Sequence, residues 1–107
     1  MYQMICRIGQ KPPYYAVIFT SEKNVPAEGY EEMATKMMEL ARSQDGFLGV
    51  DSAREDVGIT VSYWRDLESI AKWRNHAEHT LAREKGRREW YQSFSVRIAK
   101  VEREYGM

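Results

Sequence analysis

The hydrophobic period of this chain changes within a few residues of Asp66, and that change limits the fold more than any other feature. Ile59-Thr60-Val61-Ser62-Tyr63-Trp64 alternates apolar with small polar residues, the period of two expected of a strand. Just beyond, Leu67, Ile70, Ala71 and Trp73 form a helical stripe, and Asp66 is placed to cap that helix. A strand passing into an amphipathic helix through a two-residue turn implies a helix packed on a sheet.

The rest of the chain repeats this logic. The β-branched and aromatic run Tyr14 to Thr20 reads as a strand, and Ser21 to Val25 as a polar loop. Pro26 suits the first turn of a helix whose apolar positions are Tyr30, Met33, Ala34, Met37, Leu40 and Ala41, stopped at Asp45-Gly46. Phe47 to Ala53 forms a second strand, and residues 54–58 the hairpin loop leading to Ile59. The helix after Asp66 is expected to be interrupted or kinked at Asn75. Its second piece runs from His76 to about Lys85 and is closed by Gly86. A last strand runs from about Trp90 to Glu104, with Phe94, Val96 and Ile98 alternating with Ser93, Ser95 and Arg97.

The order β-α-β-β-α-β predicts an α+β, ferredoxin-like antiparallel sheet with both helices on one face. Residues 1–13, ending in Pro12-Pro13, read as an arm, and residues 14–107 as a single domain. Helices on one face leave Ile59, Val61 and Tyr63 or their neighbours without cover. A second copy of the chain is the simplest cover, and two facing sheets close into a barrel that hides their edges.

Bulk properties narrow the function. At 107 residues the chain suffices for one core. Sixteen basic and sixteen acidic residues give no net field toward nucleic acid or an anionic membrane. Cys6 is the only cysteine, which excludes an intrachain disulfide and fits a reducing compartment. No apolar run approaches the roughly 18 residues of a membrane span, and the N-terminus lacks the pattern of a secretory signal. The expected location is the cytoplasm. There is no Gly-rich phosphate loop, no Cys-x-x-Cys and no supported catalytic triad, so no flavin, nicotinamide or other cofactor is expected.

All three tryptophans and both histidines fall between Tyr63 and Tyr91. Trp64, Trp73 and Trp90 are candidate walls of a substrate site, although Trp64 and Trp73 also suit a core. Of Trp90 and Tyr91, adjacent in a strand, at most one can face a pocket. His76 and His79 share a helix face and are the candidate catalytic groups, able to donate to a phenol oxygen or carry a proton near neutral pH. A structural role for each is the alternative. With no third ligand in register, no metal site is expected. Arg97, mid-strand among apolar neighbours, calls for a carboxylate partner or an anionic ligand. Arg83-Glu84-Lys85-Gly86-Arg87-Arg88 reads as a solvated turn, and Met33, Met37 and Met38 as adaptable core filling.

With element order and motif together, the chain resembles the antibiotic biosynthesis monooxygenase family of small dimeric α+β barrel proteins. The resemblance covers about residues 14–105 and is most specific in YWRDLESIAKW, Tyr63 to Trp73. It implies a homodimer with a pocket between helices and sheet in each subunit. Some members oxidise polycyclic aromatic molecules with dioxygen and neither metal nor flavin, some cleave haem, and many have no known activity. Haem-cleaving members match Trp64 and Trp73, but carry a haem-ligating His ten residues beyond the helix Trp, where Arg83 stands here. They also use an Asn in the first strand, absent from Tyr14 to Thr20. The resemblance does not imply one reaction; cofactor-independent oxidation of a small aromatic molecule is the expected one, with haem cleavage the less favoured. The other class that fits is a non-enzymatic dimeric module that binds a small hydrophobic ligand or serves a housekeeping role.

Overall fold

Four strands pair in the order β2-β3-β1-β4, so the continuous apolar run of β1 and the alternating run of β3 lie side by side in the interior of the sheet. The structure is a computed structural model and describes residues 5–23, 30–84 and 91–107. Its elements are β1 (Tyr14–Lys23), α1 (Tyr30–Arg42), β2 (Phe47–Arg54), β3 (Val57–Trp64), α2 (Leu67–Glu84) and β4 (Tyr91–Val101). Every strand pair is antiparallel. This is the ferredoxin-like α+β arrangement the periodicities predict. The expected start of the first helix at Pro26, its stop signal at Gly86 for the second, and Trp90 at the head of β4 lie outside the described residues.

The turns are built by specific chemistry. Gly46 closes α1 with φ +91°, a left-handed backbone that only glycine adopts without strain. Its carbonyl accepts the Arg65 amide at 2.7 Å, tying the end of α1 to the start of α2. Arg65 also holds Asp45 through two hydrogen bonds of 3.0 and 3.2 Å. Asp66 caps α2 by accepting the Ser69 amide at 2.8 Å.

Helix α2 is continuous over 18 residues, so the interruption expected at Asn75 does not occur. Asn costs well under 1 kcal/mol in a helix interior, and the buried arc of Ser69, Ile70 and Ala77, with half-buried Trp73, runs straight past it. Leu67 and Ala71, expected on that stripe, are exposed instead. The core is Val17, Ala41, Trp64 and Ile70, with Tyr15, Phe47 and Trp73 packed against it. Met33 is buried and Met37 and Met38 half-buried, in keeping with their role as filling.

Register assigns the faces, because residues directly opposite across a ladder share a side. Trp64 pairs with Tyr15, Ser62 with Val17 and Thr60 with Phe19 on the helix side. The same side continues onto β4 through Ile98, Val96 and Phe94, opposite Val17, Phe19 and Ser21. The other side carries Ile18 opposite Val61, Thr20 opposite Ile59 and Glu22 opposite Val57.

That second face is part covered and part bare. The N-terminal arm is anchored over the Tyr63 end: the Cys6 amide donates to Asp51 Oδ1 at 2.7 Å, and Arg7 donates to the Met107 carbonyl at 3.0 Å. Gly49 lies beneath the arm, where a Cβ would come within 2.3 Å of Cys6 Sγ. Toward the hairpin, Val57 and Ile59 remain 46% and 45% exposed.

Candidate active site

Trp64 ends β3 and points under α2, while Trp73 descends from α2 onto the same spot. Their ring centroids are 5.1 Å apart at 31°. Phe47 meets Trp64 edge-on at 5.4 Å and 81°. Trp64 is fully buried, and its indole N–H donates to Ser62 Oγ at 2.9 Å. Ser62 stands two residues earlier on the same strand face and is itself buried. The Trp73 Nε1 is equally shut off from solvent, but has no acceptor among the described residues. A buried donor left unpaired costs on the order of 1–3 kcal/mol, so an orphan here marks a place where an acceptor from outside the chain would be held strongly.

Along the same face, Phe19 stacks on Phe94 with centroids 5.6 Å apart at 28°. Beside them Phe94, Val96 and Ile98 are 42–51% exposed, an apolar row on the helix side that α1 and α2 leave bare. Their alternation with Ser93, Ser95 and Arg97 marks the strand as partly exposed, but alternation alone does not say how far the helices reach.

The other expected site residues are scattered. His76 and His79 lie on exposed positions of α2, and His79 Nδ1 is engaged with the Asn75 carbonyl at 3.2 Å. Neither belongs to the Trp64–Trp73 contact. Arg97 sits opposite Ile18, on the face away from the tryptophans, and donates to Ser95 Oγ at 3.0 Å. Within one chain it cannot serve the same site as Trp64. Trp90 and residues 85–88 of the expected solvated turn lie outside the described residues. No group of three His, Cys, Asp or Glu side chains among the described residues could hold a metal.

A separate polar cluster, which sequence reasoning did not find, occupies the opposite side of the sheet under the arm. Tyr14 and Tyr63 meet edge-on with centroids 6.0 Å apart at 85°. The Tyr63 hydroxyl donates to Asp51 Oδ2 at 2.8 Å, and the Tyr14 hydroxyl donates to Glu104. Burial first, then the bond to Glu104, pushes the Tyr14 phenol up to about 12. Burial and the bond to Asp51 raise that of Tyr63 further still.

A four-stranded antiparallel sheet with two helices on one face, and paired indoles between them, defines a ferredoxin-like α+β protein with an aromatic helix–sheet site. Residues 13–85 match the family model for antibiotic biosynthesis monooxygenases, and the chain belongs to that family. It is 55% identical over 96 residues to the uncharacterized protein YqjZ of Bacillus subtilis, covering 88% of this chain and 84% of that one. It is 29% identical over 92 residues, 81% of this chain, to a jasmonate monooxygenase of Pyricularia oryzae, of which it spans 43%. Among solved structures, SnoaB, a cofactor-independent oxygenase from Streptomyces nogalater, superposes with a TM-score of 0.71 at 10% identity, over 87% of this chain and 97% of that one. At that identity the likeness concerns the fold.

Proposed function

We propose that the chain is a monooxygenase that oxidises a small aromatic molecule with dioxygen and no cofactor, as a homodimer in the cytoplasm. The observation that carries this reading is the Trp73 N–H, which has no acceptor among the described residues and is held out of solvent against Trp64. A phenol-like substrate would place its oxygen on that donor and its ring against the Trp64–Trp73 pair. Ionised, the substrate is electron-rich enough to reduce dioxygen itself. The protein then supplies orientation, desolvation and one fixed donor to the oxyanion. Family membership supports the reaction class, and the names of the Pyricularia oryzae and Streptomyces nogalater relatives point the same way.

His76 and His79, the candidates for proton handling, lie on exposed positions of α2 outside the Trp64–Trp73 contact. The partner subunit is argued from the bare strip Val57 and Ile59, which a second sheet would cover.

Oxygen uptake with anthrone-type phenols, run aerobically and anaerobically, tests the reading. Uptake that depends on Trp73 and survives His76→Ala and His79→Ala is the expected result. No uptake with any such substrate, alongside tight binding of an apolar ligand, would favour the non-enzymatic binding module.

A further inference from the structure

We propose that Trp73, Trp64, Tyr63 and Tyr14 form a one-electron relay through the sheet, carrying an oxidising equivalent from the helix side to the opposite surface. After the cysteine thiolate, Trp and Tyr are the side chains most readily oxidised by one electron, and here they are consecutive neighbours rather than scattered. Trp73 and Trp64 lie 5.1 Å apart. Trp64 and Tyr63 are adjacent in β3, their Cα atoms about 3.8 Å apart and their side chains on opposite faces, so the backbone itself carries the path across the sheet. Tyr63 and Tyr14 are 6.0 Å apart on the far side.

What separates this row from a chance aromatic cluster is that each phenol has its own base. A tyrosine gives up an electron easily only if its proton leaves at the same moment. Tyr63 donates to Asp51 Oδ2 at 2.8 Å, and Tyr14 donates to Glu104. Asp51 is held in place by the Cys6 amide at 2.7 Å. Both phenols are kept protonated at neutral pH by burial and by these same bonds, so proton and electron must go together. Glu104 is exposed and can pass its proton to water.

The steps balance. A peroxyl radical at the indoles takes one electron from Trp73 or Trp64 and leaves as a hydroperoxide anion. The indole radical cation takes an electron from Tyr63, whose O–H bond breaks, with the proton going to Asp51. Tyr63 then recovers an electron from Tyr14 and its proton from Asp51, while the Tyr14 proton passes to Glu104. The tyrosyl radical at Tyr14 is finally reduced, with return of a proton, by a soluble thiolate. Under the proposed oxygenase reading this drains radicals that would otherwise damage the site. The relay itself rests on geometry alone and is tested without any substrate.

Pulse radiolysis supplies that test. Azide radicals, reduced to azide, oxidise tryptophan in a Trp90→Phe background where Trp64 and Trp73 are the remaining indoles. The tryptophanyl signal should decay in a first-order, concentration-independent step while a tyrosyl signal grows. That step should slow about tenfold or more, a decade being about 1.4 kcal/mol of barrier, in Tyr63→Phe, and slow also in Asp51→Asn and in heavy water. Tyr105→Phe, altering a 95% exposed phenol, should leave it unchanged. Both tyrosine substitutions keep the ring, and circular dichroism confirms the fold. An unchanged rate in Tyr63→Phe, decay that is only bimolecular, or tyrosyl growth lost in Tyr105→Phe would each overturn the relay.

Discussion

Trp64 and Trp73 face each other at 5.1 Å, yet among the described residues only the Trp64 indole has an acceptor for its N–H, the Ser62 hydroxyl at 2.9 Å. The two rings therefore have different work despite their contact. Trp64→Phe removes a paired donor and a large part of the core, and should lower stability by about 2–4 kcal/mol in urea titration. Trp73→Phe deletes a buried donor that has no acceptor among the described residues. The loss of ring volume and the relief of the orphan oppose each other, so stability should change by about 1 kcal/mol or less. Oxygen uptake with a phenolic substrate should nevertheless fall about a hundredfold, the weight of one donor to an oxyanion. A variant that unfolds like Trp64→Phe and oxidises normally would assign Trp73 to the core alone.

The bare strip on β3 makes a prediction about assembly. Ile59 is 45% exposed and lies opposite Thr20 on the face away from the helices. Ile59→Glu puts a charge where a second sheet would sit, while costing the isolated chain little. Sedimentation should show a dimer for the native chain and a folded monomer for the variant, its dissociation constant raised about a hundredfold or more, near 2.7 kcal/mol. A native chain that sediments at 12.6 kDa at micromolar concentration refutes the partner.

The order of elements was legible because it is written in local periods: two in β3, helical spacing in α1, glycine at the stop after Asp45. What was not legible depends on residues far apart. The alternation around Arg97 shows that it opposes Val96 and Ile98, but only its pairing with Ile18 places it on the face away from Trp64. The Trp64–Trp73 contact follows from a strand end and a helix stripe meeting, and could be read in advance. The lack of an acceptor for the Trp73 N–H among the described residues could not, since it depends on everything packed around that ring. Nor could the anchoring of the arm, which joins Cys6 to Asp51 across 45 positions. His76 and His79 were chosen for chemistry rather than placement, and helical spacing fixed that they share a face without fixing which one.

Gly49 tests that anchoring. A methyl group there would meet Cys6 Sγ at 2.3 Å and the Ile8 side chain at 3.1 Å, so Gly49→Ala should lift the arm off β2. Cys6 is partly shielded in the native chain. Its rate of labelling by a disulfide reagent should rise about tenfold or more, the rate following access and thiolate fraction, while the helix–sheet core stays intact by circular dichroism. Labelling as slow as in the native chain would show that the arm accommodates the methyl in place.

Asp66 gives the pH dependence its sign. Its bonds to the Ser69 side chain and amide, and then to Arg65, hold its carboxyl at about 2, below the usual carboxylate value near 4. A group whose pKa is depressed by folding stabilises the native state wherever it is ionised in both states. Its contribution is therefore complete above pH of about 4 and is lost as pH falls from there through about 2. Asp45, lowered in the same direction by Arg65, adds to the same slope. Asp66→Asn keeps a capping oxygen but cannot ionise, so its urea midpoint should lie below that of the native chain near neutral pH and converge with it toward pH of about 2. Asp66→Ala loses the cap altogether and should cost about 1 kcal/mol, with part of the deficit persisting at low pH. A constant gap between the native chain and Asp66→Asn across that range would show that the carboxylate at the head of α2 is no better held in the folded state than in the unfolded chain.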